Sequence, residues 1–219
     1  MDAGWLGRGV AMTIYNLIAG KNKDRLAALS DGVFAFAMTV LALDIRVPVV
    51  AAIHSEAGLA HALLALAPRL LTFAMSFMTL GIFWIGQQTQ HNALDHTDRA
   101  YTWWHIGFLM AVCLLPFSTN LLAEFIAFRV ALLVYWLNIL LLGLLLLASW
   151  YRAKWFGLVS KDAPPNIDDA FISRIVRAQA LYAFGAGLCL FSTWWSIGFI
   201  VAVQLNYVIA PRFKPFTWL

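Results

Sequence analysis

Charge is scarce in this sequence: 15 Lys and Arg with 11 Asp and Glu make up 12 % of 219 residues, where soluble domains carry about 25 %. With 62 % hydrophobic residues and a mean hydropathy of +0.77, a chain of this length has too little polar surface to coat a water-soluble globule, and that class is excluded. Cysteine is nearly absent. Cys113 and Cys189 both fall inside apolar runs, where thiols behave as small hydrophobes and no disulfide framework is expected. Also missing are a Gly-rich phosphate loop, a nucleophile with a base at helical spacing, and a cluster with metal-ligand spacing. An enzyme and a resident cofactor or metal are therefore not expected. His54, Glu56 and His61 in one connection, and His91 and His96 beside Asp95 and Asp98 in another, read as polar loops. No small-residue cleavage site follows the short apolar stretch 11–18, so a cleaved signal peptide is not expected. With Trp5 and Tyr15 at headgroup depth, the first residues read as an interfacial amphipathic helix or a disordered tail.

What the chain has in abundance is long apolar runs. Spans of about 20 apolar residues cross a bilayer, and six are read at 26–47, 66–87, 101–122, 130–151, 175–191 and 193–210. The uncharged stretch before Arg212 overshoots a membrane as one helix, so it is divided near Ser192-Thr193. The expectation is an all-α polytopic membrane protein: an interfacial or cytoplasmic segment 1–22, a six-helix domain 23–212 and a tail 213–219. With the N-terminus inside, every Lys and Arg except Arg46, Arg69 and Arg129 lies on the inner side. This positive-inside bias places both termini in the cytoplasm. It also accounts for the basic pI of 9.3 without nucleic acid. Trp103, Trp104, Trp150, Trp155, Trp194 and Trp195 suit interfacial belts. Pro116 inside the third span predicts a kink, and Asn166 a helix start with Asp168 and Asp169 at the positive end of the dipole.

The first span holds the chemistry. It opens on Arg25-Leu-Ala-Ala-Leu-Ser30-Asp31, and an ionisable group in a membrane helix costs about 2.5–3.5 kcal/mol on insertion scales, so it calls for a partner and a purpose. At 100° per residue, Phe36, Thr39, Val40 and Leu43 form one narrow stripe. Asp31 lies to the other side, near the column Ala28, Ala35, Ala42, whose small side chains permit close helix approach in lipid. One face is thus built for tight packing, and the other is an apolar stripe with a single hydroxyl. Periodicity alone leaves open whether that stripe faces lipid, the core or a pore.

The motif resembles the signature of the prokaryotic branch of the transmembrane protein 175 family, related to the lysosomal potassium channel. That signature is Arg-x-x-x-Phe-Ser-Asp with a threonine eight residues after the aspartate. Here it is matched by Arg25, Ser30, Asp31 and Thr39, continuing through Leu43-Asp44-Ile45 to Pro48. Ser76-Phe77, Trp84 and Leu115-Pro116-Phe117 extend the similarity. The resemblance implies a homotetrameric, potassium-permeable cation channel in a prokaryotic cell membrane. It implies no filter loop, no further protein partner and a central pore lined by the first helix. It places a hydrophobic constriction at Phe36, with Thr39 one turn away and Val40 and Leu43 toward the outer end. It also implies a buried polar network of Arg25, Ser30 and Asp31 with Trp84, Gln88 and His105. Three positions depart from the pattern: Leu29 replaces the signature phenylalanine, Phe36 an aliphatic residue, and Gln87-Gln88 the histidines frequent in relatives. The competing reading is a proton-coupled transporter or proton pathway with Asp31 as the carrier.

Overall fold

The computed structural model describes residues 22–49 and 53–209. Seven α-helices run through them: α1 (Lys23–Leu43), α2 (Glu56–Ala65), α3 (Ala67–Asn92), α4 (Arg99–Glu124), α5 (Arg129–Trp155), α6 (Ile167–Gly187) and α7 (Thr193–Ile209), with a single 3₁₀ turn at Leu188–Leu190 joining the last two. The all-α expectation is met. Helices α1, α3, α4 and α5 are long and apolar enough to cross a membrane. Helix α7 is apolar but shorter, and the first half of α6 carries Asp168, Asp169, Arg174 and Arg177. The expected interfacial segment 1–22 lies outside the described residues except for Asn22.

One segment differs from the sequence reading, and one expected helix start is met without its expected cap bond. The segment around His54, Glu56 and His61 is not a plain loop, because Ser55 caps a helix there: its hydroxyl accepts from the Gly58 amide at 3.1 Å. The run after it is rich in Ala and Leu, strong helix formers. Helix α6 starts at Ile167, well before the apolar part of its span. Asn166 stands at the N-cap position, but its side chain makes no cap bond. Asp168 is drawn instead to Lys154 of α5, at 2.7 Å. Helix α4 continues through Pro116 without ending.

Helices α4 and α5 form the spine. The main core joins Phe34 and Leu41 of α1, Met75 and Leu80 of α3, Phe108 and Leu115 of α4, and Leu132 and Ile139 of α5, with Ile197 and Ile200 of α7 closing it. Polar staples cross it, as is required where no water can satisfy a hydroxyl. Ser76 meets Thr119 at 2.6 Å, Tyr135 reaches Ser76 and Thr79 at 3.3 and 3.2 Å, and the Gln204 amide donates to Thr79 at 2.8 Å. The α6–α7 hairpin closes tightly at Gly185, where an added Cβ would sit 2.9 Å from the Phe199 ring. At the other end, α5 finishes on Gly157 with φ of 66°. There Leu158 N donates to Ala153 O and Gly157 N to Lys154 O, a Schellman stop that only a residue tolerant of positive φ allows. The turn delivers the chain to the α3–α4 connector. Asp95 N donates to Leu158 O at 3.0 Å and Ser160 N to Ala93 O at 2.9 Å, a small antiparallel bridge. A second apolar cluster sits beneath it, with Trp150 edge-on to Phe171 at 4.4 Å. Cys113 is exposed, Cys189 is buried and both are free.

Candidate pore-lining helix and its polar anchor

Helix α1 begins where Asn22 accepts a hydrogen bond from the Arg25 amide at 3.0 Å. It uses one stripe, Leu26, Ser30, Phe34, Ala37 and Leu41, to pack on its own chain; the steps of three and four residues keep these on one face. Phe34 is 2 % exposed and meets Phe108 at 6.0 Å. Much of the remainder of the helix is exposed, with Val33 and Met38 partly buried against the core. Phe36 is 70 % and Leu43 76 % exposed, Thr39 is exposed, and Val40 is half-buried at the edge of the stripe.

The alanine column is not the face that α1 packs on its own chain. Ala28, Ala35 and Ala42 are all exposed, because the larger side chains Leu26, Phe34 and Leu41 fill the gap to α3 and α4. Roughly opposite that buried stripe on the helical wheel stands Thr39. Its hydroxyl donates to the Phe36 carbonyl at 2.7 Å, which leaves the oxygen lone pairs as acceptors on the open face.

Beneath this face lies the polar anchor. Ser30 is fully buried; its Oγ lies 2.9 Å from the Leu26 carbonyl and 2.6 Å from His105 Nε2. A hydroxyl has one hydrogen, so when it goes to Leu26 the imidazole must donate from Nε2. Asp31 accepts from the Trp84 indole at 2.8 Å. Arg25 and Gln88, expected in the same network, are exposed, and the three ion pairs among the described residues involve neither Arg25 nor Asp31. The place read for Gln88 is taken by its neighbour. Gln87 is buried and pairs with His91 Nδ1 at 2.9 Å, while the His91 and His105 rings meet at 4.5 Å. Lys23 adds a tie from α1 to the Leu94 carbonyl at 2.7 Å.

His91 belongs to the last turn of α3 rather than to the polar connector. Its position seven residues after Trp84, with Gln87 between, puts all three on one face of α3, and that spacing is the signal that finds it. His96, by contrast, is exposed in the connector. Asp98 caps α4 through the Tyr101 amide and pairs with Arg152. His54 and His61 are both exposed.

Residues 25–116 match the family of the endosomal/lysosomal potassium channel TMEM175. A potassium channel of Chamaesiphon minutus is 33 % identical over 185 residues, 82 % of this chain and 91 % of that protein. A potassium channel of Streptomyces collinus is 33 % identical over 191 residues, 85 % of this chain and 84 % of that protein. In solved form, the chain is similar to a crystal structure of a lysosomal potassium-selective channel TMEM175 homolog from Chamaesiphon minutus. The TM-score is 0.75 at 30 % identity, covering 86 % of this chain and 97 % of the other. These relatives are ion channels, not enzymes.

Proposed function

This chain belongs to the TMEM175 family of potassium channels, and from that premise we propose that four copies form a potassium-permeable channel, with α1 of each lining a central pore. The observation that carries the proposal is the uncovered face of α1. A helix that packs on its own chain along one stripe, and presents Phe36, Thr39 and Leu43 on the other, has a face to give to an axis. The exposed column Ala28, Ala35, Ala42 lies beside that face, where small side chains let neighbouring helices approach closely. The Ser30–His105 and Asp31–Trp84 bonds hold the helix in register from behind.

In this reading six spans, α1 and α3 to α7, cross the cell membrane of a prokaryote with both termini in the cytoplasm. Four Phe36 rings make a short apolar constriction in which water is unstable, so the pore closes by dewetting. A permeating ion sheds part of its hydration shell there. Potassium holds water less tightly than sodium and crosses at lower cost, while Thr39 oxygens stand one turn away as substitute ligands. Val40 and Leu43 continue the apolar lining outward. The membrane potential drives the ion, worth about 2.3 kcal/mol per charge per 100 mV.

The test is direct. Native mass measurement of the intact protein in mild detergent is expected to give a tetramer. Liposomes containing this protein alone are expected to pass potassium without saturation and without any dependence on a proton gradient. A monomer or dimer overturns the assembly, and flux that requires a proton gradient moves the function to a carrier using Asp31.

A further inference from the structure

Helix α6 carries charge at a depth where a bilayer has no water to hold it. On α5 no charged residue stands between Arg129 and Arg152, and the centre of that uncharged run falls between Ile139 and Gly143. Gln179 of α6 meets both of these residues. Its Nε2 donates to the Ile139 carbonyl at 3.3 Å, and a Cβ on Gly143 would fall 2.0 Å from the same atom. The antiparallel register continues with Phe171 against Trp150 at 4.4 Å and Asp168 on Lys154 at 2.7 Å. Gln179 therefore marks the level of the membrane midplane. Arg174 precedes it by five residues and Arg177 by two, about 7.5 and 3 Å along the axis. Half of a hydrocarbon core is about 15 Å, so both Cα atoms lie inside it. Both residues are exposed on the surface of the chain.

An arginine at such a depth calls for an anion. No ion pair among the described residues involves Arg174, whose guanidinium stands 5.8 Å from the Tyr207 ring centroid. Arg177 folds back toward the start of the helix, its Nε and Nη2 donating to the carbonyl and hydroxyl of Ser173 at 3.0 and 2.9 Å. Its head thus lies level with the turn that carries Arg174. Cβ atoms tilt toward a helix N-terminus, and the N-terminus of α6 is the nearer surface. Both stems therefore run toward the headgroups, as long cationic side chains do in lipid. Two guanidiniums three residues apart are neighbours that repel until an anion sits between them, and a phosphate accepts from both planar forks. The face is open to lipid, since α6 packs on α5 and α7, away from α1.

We propose that Arg174 and Arg177 bind the phosphate of an anionic phospholipid from the leaflet nearer the start of α6, drawing that headgroup below the level of its neighbours. A glycerol headgroup leaves the phosphate charge uncompensated for the two guanidiniums. A choline headgroup carries its own cation against them and is disfavoured. The site is independent of the pore and of the number of copies around it, so its readout is bound lipid rather than flux.

The intact protein, reconstituted in nanodiscs of equal parts phosphatidylglycerol and phosphatidylcholine, is released gently and its retained lipid identified by native mass spectrometry. The expected result is about one phosphatidylglycerol per chain, with phosphatidylcholine retained roughly tenfold less, a gap of about 1.4 kcal/mol. Arg174→Gln, at an exposed position with no ion pair to lose, should fold normally and lower that retention severalfold. Adding Arg177→Gln should abolish the preference. Lys161→Gln, exposed in the connector between α5 and α6, should leave it unchanged. Inorganic phosphate added before release separates lipid from free ion, and a site inside the hydrocarbon layer should not lose its lipid to it. Equal retention of the two lipids overturns the proposal, as does a normally melting Arg174→Gln protein that keeps phosphatidylglycerol like the unmodified chain. Loss of equal size in Lys161→Gln reduces the effect to general surface charge, and displacement by inorganic phosphate assigns the site to a free ion; either result also refutes it.

Discussion

Two phenylalanines separated by one residue on α1 should fail in opposite ways. Phe34 is 2 % exposed and packs on Phe108, so Phe34→Ala opens a core cavity and costs about 3–5 kcal/mol of protomer stability. Phe36 is 70 % exposed within the chain. Full burial of such a ring is worth about 1.5–3 kcal/mol, and less than a third of its surface is covered, so Phe36→Ala should cost the protomer less than about 1 kcal/mol. Its effect belongs to the assembled pore, where four rings vanish together. Every 1.4 kcal/mol removed from the permeation barrier raises the rate about tenfold, and a wider, wetter constriction also strips less water from sodium. The assay pairs thermal melting of the purified protein with single-channel recording in planar bilayers under a potassium–sodium gradient. Phe34→Ala should melt early. Phe36→Ala should melt almost normally, pass about tenfold more current, and show a reversal potential shifted toward that of a non-selective pore. A well-folded Phe36→Ala tetramer with unaltered conductance and selectivity would refute the assignment and move the gate to Val40 or Leu43.

Other substitutions probe the anchor and the hairpin. Ser30→Ala should leave His105 Nε2 unpaired in a fully buried site, costing about 1–3 kcal/mol and lowering the melting temperature by roughly 2–4 °C per kcal/mol; unchanged melting means the hydroxyl does not hold α1. Gly185→Val should force α6 away from α7, because its Cβ would already stand 2.9 Å from Phe199 and 3.1 Å from Ile200. Limited proteolysis near Ser192 is expected to accelerate in that variant, and unchanged cleavage would show that the hairpin yields without opening.

Much of this architecture was legible because bilayer thickness imposes a length that apolar runs betray. The stripe Phe36, Thr39, Leu43 was readable from helical periodicity, and Ser30, Asp31 and Trp84 from the family signature the sequence resembles, with His105 as an implied partner. What escaped was governed by detail below the period. Side-chain size, not smallness, chose the face of α1 that packs internally, so the alanines lie outside. Gln87 and Gln88 are equivalent in composition, yet one residue turns a side chain by about 100°, and the inward one is Gln87. The start of α6 was legible from Asn166 and the two aspartates behind it rather than from hydropathy, which finds only where a helix becomes apolar. The helix over residues 56–65 was hidden because a search for spanning runs passes over ten residues.

The bridge between residues 93–95 and 158–160 has a mechanical consequence. Two connectors that would otherwise articulate separately share backbone hydrogen bonds, reinforced by the Arg152–Asp98 pair and by Lys23 on the Leu94 carbonyl. The N-terminal turn of α1, the end of α3 and the start of α4 are thereby riveted to the end of α5. Any iris-like motion of α1 about an axis must pivot at this rivet and grow in amplitude with distance from it. Displacement is then least near Lys23 and greatest near Leu43, so the same small rotation moves Leu43 farther than Phe36.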